Sequence, residues 1–261
     1  MKPISALSAA EARRLRGIAF DLDDTLLDHG RLLEGSYSAL FRLLDDGLTL
    51  YGVTGRPAGW GEVLARVFPV QAIITENGAV SCARQGERIV VADSVDQATR
   101  RERNLRLQQL LASFREAFPD IEAADDVHAR ISDRTFDIGE HRQVAAERVA
   151  EASLFLRAAG ARVFVSSVHL HATFDYADKA SGAVRILARD SGLDATAVRH
   201  AFAYLGDSEN DASCFAAFSV SIGVSNLRGR ATLRPAYATS QPMGRGFAEA
   251  AQVILSLRQK L

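Results

Sequence analysis

Apolar residues recur along this chain in two rhythms. Short unbroken runs, Ile18-Ala19-Phe20, Leu48 to Val53, Ala72-Ile73-Ile74, Ala201 to Leu205 and Val220 to Val224, have the length and residue content of buried strands. Between them the apolar positions shift to helical spacing. Leu33, Tyr37, Leu40, Phe41 and Leu44 form one stripe, ended by Gly47. Further helices are expected from about Gly61 to Phe68, stopped by Pro69, and from Ala180 to Asp190 with Val184, Leu187 and Ala188 inward. Asp194 caps a short helix, and Phe247, Ala250, Val253, Ile254 and Leu257 mark a closing one. Strand and helix in alternation predict an α/β fold with a doubly wound, Rossmann-like parallel sheet. Tyr237-Ala238-Thr239 is expected at its edge, and Ser8-Ala9-Ala10-Glu11 reads as the capping box of a short leading helix.

The rhythm breaks near Cys82. Arg88 to Ala92 reads as a transitional strand. A charged helix from about Gln97 to Phe118 carries the stripe Leu107, Leu110, Leu111, Phe114 and Phe118. Extended runs over Val127 to Ile131 and Thr135 to Ile138 are joined through Ser132-Asp133-Arg134. A second helix over about Arg142 to Ala159 precedes extended runs over Arg162 to Ser166 and His169 to Phe174. The insert thus reads αββαββ, an α+β unit whose helices would cover one face of an antiparallel sheet and leave the other open. The expected division is a core over residues 1–82 and 176–261 with an inserted domain over 83–175. The basic cluster Arg100, Arg101, Arg103 and Arg106 lies mostly off the apolar stripe and reads as a solvated face, with a ligand phosphate as the competing use.

Chemistry concentrates where the core strands end. In Phe20-Asp21-Leu22-Asp23-Asp24-Thr25-Leu26, residues i and i+2 of an extended segment share a face, so Asp21 and Asp23 can serve one site. One carboxylate can attack an electrophile while the other carries a proton. Two carboxylates so close repel, and such a site wants a cation. Taken alone, the stretch also fits an Asp-rich turn capping a helix. Three more stretches shift that balance: Thr54-Gly55-Arg56, Lys179, and Gly206-Asp207-Ser208-Glu209-Asn210-Asp211. Three of the four follow strands directly, so they converge on one edge of the sheet, where open α/β sheets bind ligands. Together they suit phosphoryl chemistry. Asp21 can attack phosphorus, and a divalent cation held by Asp21 and Asp207 would neutralise the carboxylates and the phosphoryl group. Thr54 can donate its hydroxyl to a phosphoryl oxygen, and Lys179 can meet the charge that spreads over the oxygens in the transition state. Hard oxygen ligands without sulfur favour Mg2+ over zinc.

Composition narrows the field. The chain has 261 residues, 48% hydrophobic and 24% charged, with a formal net charge of -1. That balance gives no field for steering onto nucleic acid or an anionic membrane, and neither is expected as a partner. No apolar run approaches the roughly 18 residues of a membrane span, and the start of the chain lacks a signal-peptide core. Cys82 and Cys214 read as small buried apolar residues suited to a reducing cytoplasm. The His and Asp spacing gives no zinc pattern, and Ser166-Ser167 lacks the Gly-x-Ser-x-Gly context of a serine hydrolase.

The four stretches, in this order, resemble the four motifs of the haloacid dehalogenase superfamily. The insert between the second and third resembles the type IIB cap of Cof-type phosphatases, sucrose-phosphate phosphatase, mannosyl-3-phosphoglycerate phosphatase and phosphomannomutase. The resemblance covers nearly the whole chain. It implies a cytoplasmic, Mg2+-dependent phosphatase, monomeric or homodimeric. Its substrate would be a small phosphate ester, a sugar phosphate or a phosphorylated glyceryl glycoside, hydrolysed through an aspartyl phosphate. Asp21 resembles the nucleophile and Asp23 the general acid and base, whose backbone carbonyl faces the metal. Thr54 and Lys179 resemble the phosphate-binding threonine and lysine, with Gly55 and Arg56 in the same loop; a salt bridge on the loop is the competing role for Arg56. Asp207 resembles the metal-ligand aspartate, Asp211 the supporting member of the metal site, and Asn210 the asparagine facing the phosphoryl group. Many relatives have Gly where this chain has Asp24, which implies a changed loop rather than changed chemistry.

Glu76-Asn77-Gly78-Ala79 matches a subclass signature and reads as support near the cap hinge, with substrate contact as the alternative. Selectivity is expected from the cap, where Arg130, Arg134, His169 and His171 are the candidates to reach sugar hydroxyls or a carboxylate. Each also reads as an ordinary strand residue. A phosphosugar mutase or an inactive ligand-binding relative would share these motifs; the intact Asp21, Asp23, Lys179 and Asp207 count against the second.

Overall fold

The structure, a computed structural model, describes residues 1–166, 168–227 and 231–259, so Ser167 lies outside the described residues. The leading helix α1 (Ala9–Arg14) is closed by the Ser8–Glu11 capping box. Strands β1 (Gly17–Phe20), β2 (Thr49–Val53) and β3 (Ala72–Thr75) then run parallel, linked by helices α2 (Glu34–Asp45) and α3 (Ala58–Val67). From β3 the chain doubles back through β4 (Val80–Gln85) and β5 (Arg88–Asp93), both antiparallel in the same sheet. The domain boundary expected between residues 82 and 83 therefore falls inside β4. The ladder explains the correction: Ala72 to Thr75 pair with Ala83 to Val80, and Val80, Ser81 and Cys82 are buried with them. The chain leaves the core sheet only after Asp93.

The insert comprises α4 (Gln97–Ala117), β6 (Asp133–Asp137), α5 (Ala146–Ala158), β7 (Arg162–Val165) and β8 (His169–Thr173). Its sheet is antiparallel in the order β7-β8-β6. Val127 to Ile131, expected as a fourth strand, instead forms a 3-10 turn over Asp125–Ala129, and Ala123 alone bridges Phe136. Other partners claim that segment. The Glu76 carboxylate accepts the N–H groups of Ile131 at 2.9 Å and Ser132 at 2.5 Å, so they are lost to a ladder. Glu76 also accepts the Ala58 N–H at 3.0 Å, joining insert to core as structural support.

The core resumes with α6 (Lys179–Ser191), α7 (Ala195–Ala201), β9 (Phe202–Gly206), α8 (Ala212–Ala217), β10 (Val220–Gly223), β11 (Tyr237–Ala238) and α9 (Met243–Gln259). Among the described residues the main sheet is nine-stranded, in the order Lys2–Pro3, β11, β10, β9, β1, β2, β3, β4, β5. Pairings are parallel as far as β3. The order reverses at β1, which makes the carboxyl ends of β9, β1 and β2 the switch point. Alternation along β1 sends Ile18 and Phe20 to a core with Leu40, Leu43, Phe247 and Ile254, and Ala19 to one with Tyr51, Leu187, Tyr204 and Phe215. The insert has its own core. Leu107, Leu110 and Phe114 of α4 and Leu156 of α5 cover Phe136, Leu170 and Ala172.

A row of contacts lines the insert's side of the seam with the core and reaches across it at Asp93. The Ser132 carbonyl accepts the Thr173 hydroxyl at 2.9 Å, and the same oxygen of Thr173 accepts the Asp175 N–H at 3.0 Å. Arg100 grips Asp175 at 2.5 Å and Asp93 at 2.7 Å, and Arg103 also pairs with Asp175. Arg106 lies over the Phe174 ring, 4.0 Å from its centroid. Three arginines of the expected solvated cluster are thus committed to the two chain crossings.

Candidate active site

The loops after β9, β1 and β2 deliver Asp207, Asp21 and Thr54 side by side. The turn after Asp21 passes through Asp24 at φ +55°, a left-handed conformation that glycine adopts freely and aspartate tolerates. The N-terminus of α6 is brought in by a close approach of two glycines. A Cβ on Gly182 would lie 2.3 Å from the Gly78 Cα, so side chains there would push the helix away. Lys179, on the first turn, places Nζ 2.9 Å from Asp21 Oδ1, 2.8 Å from Asp211 Oδ1 and 3.2 Å from Asn210 Oδ1. Burial disfavours the ammonium, but Asp21 and Asp211 hold its pKa above the usual lysine value.

The three acids of this wall are not equivalent. Asp211 Oδ1 accepts from Lys179 and, at 2.5 Å, from the Tyr204 hydroxyl. Its Oδ2 accepts the N–H groups of Asp207 at 2.9 Å and Ser208 at 3.1 Å. Asp207 has only long contacts, from the Thr25 hydroxyl at 3.4 Å and the Asn226 amide at 3.2 Å. Burial, then the charges of Asp21 and Asp211, push the Asp207 carboxyl well above the ordinary range. Burial raises Asp21 as well, against the pull of Lys179. Oxygens of Asp21, Asp207 and Asp211 lie within 4.8 Å of one another. Asp21 and Asp207, buried, crowded and with lone pairs left over, are a donor set that a hard divalent cation fits. Asp211, expected as the supporting member of the metal site, lies in the same cluster and also fixes Lys179 and the Asp207 loop.

The opposite wall is β8. His169, His171 and Thr173 stand opposite Asp137, Thr135 and Asp133 of β6, on the sheet face away from the insert's helices. The crevice between the walls is lined by Asp21, Asp23, Arg56, Asp207, Asn210, His169 and His171 among others, with about 20 Å³ of room for water-sized groups. Thr54, wholly buried, stands behind this lining, its Oγ1 accepting the Arg56 N–H at 3.0 Å. Arg56 makes a salt bridge that spans the walls. It holds Asp23 through two bonds of 2.9 Å and Glu140 of the insert through a third of 2.9 Å. His169 Nε2 approaches Glu140 Oε2 to 2.7 Å without the alignment of a hydrogen bond.

Of the four expected selectivity residues, the structure brings His169 and His171 to the crevice. Arg130 is held by Asp126 and Asp133 and donates to the Gly55 carbonyl at 2.9 Å, so its guanidinium locks insert to core. Arg134 points to the other face of β6 and borders a separate surface cleft with Leu111 and Ile121. It was expected on the substrate side; alternation along β6 puts it on the helix side.

Comparison with known proteins bears on the fold and on the class of enzyme. A family model described as haloacid dehalogenase-like hydrolase matches residues 18–109. Over those residues the chain resembles the haloacid dehalogenase-like hydrolases. The match and a relative named as a phosphatase support an enzyme of the phosphatase class. It is 28% identical to a phosphoglycolate phosphatase of Archaeoglobus fulgidus over 93% of this chain and 98% of that one. Its fold is similar to that of a Thermoplasma acidophilum protein, with a TM-score of 0.72 and 18% identity over 93% of this chain and 99% of that one. It is also similar to the sucrose-phosphatase of a Synechocystis species, with a TM-score of 0.65 and 16% identity over 93% and 98%.

Sequence reasoning passed over several residues that shape the site of this hydrolase. Asn226 donates to Asp207 and to the Asp24 carbonyl, and accepts the Met243 N–H. Its signal was available: a polar residue just past a buried strand, as with Asp207. Glu140 and Asp133 carried no such signal. Glu140 reaches Arg56 because the Asp137 carboxylate gathers the N–H groups of Gly139, Glu140, His141 and Arg142 into a tight loop.

Proposed function

We propose that this hydrolase is a cytoplasmic, Mg2+-dependent phosphatase that cleaves a small phosphate ester through an aspartyl phosphate, as a monomer or homodimer. The core is residues 1–93 and 176–261, and residues 94–175 are the cap that closes over the crevice. One observation carries the reading: Asp21 has one oxygen fixed by Lys179, lines the crevice, and has Asp23 beside it. Asp21 attacks phosphorus as the bond to the leaving oxygen breaks, and Asp23 gives that oxygen its proton. Asp23 then takes a proton from water, which attacks the same phosphorus and releases phosphate and free Asp21. Lys179 faces the charge on the transferring group, with Thr54, the loop at Gly55 and Asn210 around it. Mg2+ on Asp21, Asp207 and the Asp23 backbone carbonyl would supply charge neutralisation.

The cap walls off water and meets the leaving group. Sugar phosphates and phosphorylated glyceryl glycosides are the substrates expected. Phosphoglycolate, named for the Archaeoglobus relative, is the alternative that a narrow crevice favours. The purified protein should release phosphate from p-nitrophenyl phosphate with Mg2+ and not in EDTA. Full activity in chelator refutes the metal site. Conversion of hexose phosphates to isomers without phosphate release would establish a mutase instead.

A further inference from the structure

The fold turns Arg134 away from the crevice and into a second cleft of the insert, about 270 Å³ in volume, between α4, β6 and the turn over Asp125–Ala129. Three pieces of local structure build this cleft. Leu111 and Arg115 are i and i+4 on α4, so they share a face. Arg134 and Phe136 are i and i+2 on β6, and the Phe136 ring packs on Phe114 of α4 at 4.2 Å between centroids. The turn adds Val127 and His128. Ile121 completes an apolar lining beside the two arginines.

Charge in this cleft is one-sided. Among the described residues no carboxylate lines it. The neighbouring carboxylates of the turn and of β6 are spent elsewhere. Asp126 and Asp133 hold Arg130, Asp125 pairs with His141, Glu122 pairs with Arg142, and Asp137 collects loop N–H groups. Glu116 follows Arg115 on α4 but is turned about 100° round the helix. Arg130 also borders the cleft, but its donors are taken by Asp126, Asp133 and the Gly55 carbonyl. Arg115 and Arg134 have no carboxylate partner among the described residues. Arg134 donates one bond, to the Asp133 carbonyl at 2.6 Å. Two guanidinium groups with donors to spare, beside an apolar lining, suit an oxyanion on an apolar body.

We propose that this cleft is a ligand site for a small organic anion, a carboxylate or phosphate-type group on an apolar body, with the oxyanion on Arg115 and Arg134. The apolar part lies against Leu111, Ile121, Val127 and Phe136. The site is separate from the crevice. Alternation along β6 puts Arg134 and Phe136 on the helix side, and Asp133, Thr135 and Asp137 on the side that faces the core. The two sites thus lie on opposite faces of one strand, and this one stands whether or not the crevice hydrolyses phosphate esters. An uncharged analogue leaves both guanidinium groups without their acceptor, and a bare anion leaves the apolar lining uncovered.

The test is titration calorimetry of the full chain at low salt in EDTA, with benzoate, phenylphosphonate, benzamide and acetate as probes. Benzoate or phenylphosphonate should bind saturably, with benzamide and acetate weaker by about tenfold or more. The tighter of the two aromatic anions tells whether the oxyanion is a carboxylate or a phosphate-type group. Arg115→Met and Arg134→Met should each weaken that anion by about tenfold or more, and leave the Tm within about 2 °C of wild type. Val127→Asp sets a carboxylate in the cleft without touching either arginine, and should abolish binding. Asp21→Asn, which alters the crevice alone, should bind as wild type does. No saturable binding of either aromatic anion up to about 10 mM overturns the proposal. So does equal binding of benzamide or of acetate, or binding that survives the arginine substitutions or Val127→Asp. Loss of binding in Asp21→Asn would put the anion in the crevice and overturns it as well.

Discussion

The two walls of the crevice treat charge in opposite ways. On the core wall, Asp21, Asp207 and Asp211 crowd around one ammonium, and two of the three carboxyls are pushed toward protonation. On the cap wall the Asp133 and Glu140 carboxyls are instead held low by direct ion pairs. Arg130 lies between Asp126 and Asp133, Arg56 between Asp23 and Glu140, and His171 is neutral. Carboxyls pushed toward protonation suit a wall proposed to take up a cation and a phosphoryl group. A wall of paired carboxylates adds less to the field in the crevice.

The widest expected split comes from Asp21→Asn. An amide is a poor nucleophile, so kcat on p-nitrophenyl phosphate should fall by about 10⁴-fold or more. A loss under about tenfold would move the nucleophile elsewhere. Next is stability. Lys179→Met strands the Asp21 and Asp211 carboxylates without their cation and should cost about 3–5 kcal/mol in urea unfolding. Arg134→Met, on the helix side of β6, should cost under about 0.5 kcal/mol. Equal losses would mean that the Asp21 and Asp211 carboxylates do not depend on Lys179. Mg2+ gives a third measure. At about a hundredfold over its dissociation constant it should stabilise the wild type by about 2.7 kcal/mol, read as a rise in Tm. Asp207→Asn should show little of that rise; an undiminished one would place the cation away from this pair.

The smallest effect lies on the cap wall. Burial lowers the folded His171 imidazole to about 4, below the ordinary histidine value of about 6.5. As pH falls the unfolded chain takes up the proton first. The contribution is present above about 6.5 and is lost as pH falls through 4. Asp133, Arg130 and His169 are the charged or titratable groups facing the ring. The unfolding free energy of wild type, relative to His171→Gln, should shrink between pH 7 and pH 4. A constant difference would mean that the ring is not buried as a neutral group.

The core wall was legible in the sequence because its residues sit at fixed places relative to apolar runs. Asp21, Thr54 and Asp207 each follow a buried strand, so parallel pairing alone converges them. The cap wall was half legible. Period-two alternation puts His169 and His171 on one face, but it says nothing of whether that face meets the core. Arg130 was out of reach because its partners, Asp126 and the Gly55 carbonyl, meet only through the irregular turn that replaces an expected strand. The reversal of β4 and β5 into the main sheet was hidden for a related reason. Strands following a tight turn at Glu76 to Gly78 look alike whether they close one sheet or open another.

The seam of contacts from Glu76 through Ser132, Thr173, Asp175 and Arg100 to Asp93 has a mechanical meaning. A body fixed along a row of points is on an axle, and it keeps one rotation. Asp133 of β6 is next to that axle and Asp137 is four residues out, about 13 Å at the rise of a strand. His171 pairs two residues out and His169 four, so any swing carries His169 about twice as far as His171. The Arg56–Glu140 bridge sits beyond Asp137, at the long end of the lever, where a given force exerts the most torque. A rotation about that row would strain this bridge more than the His171 contacts nearer to it.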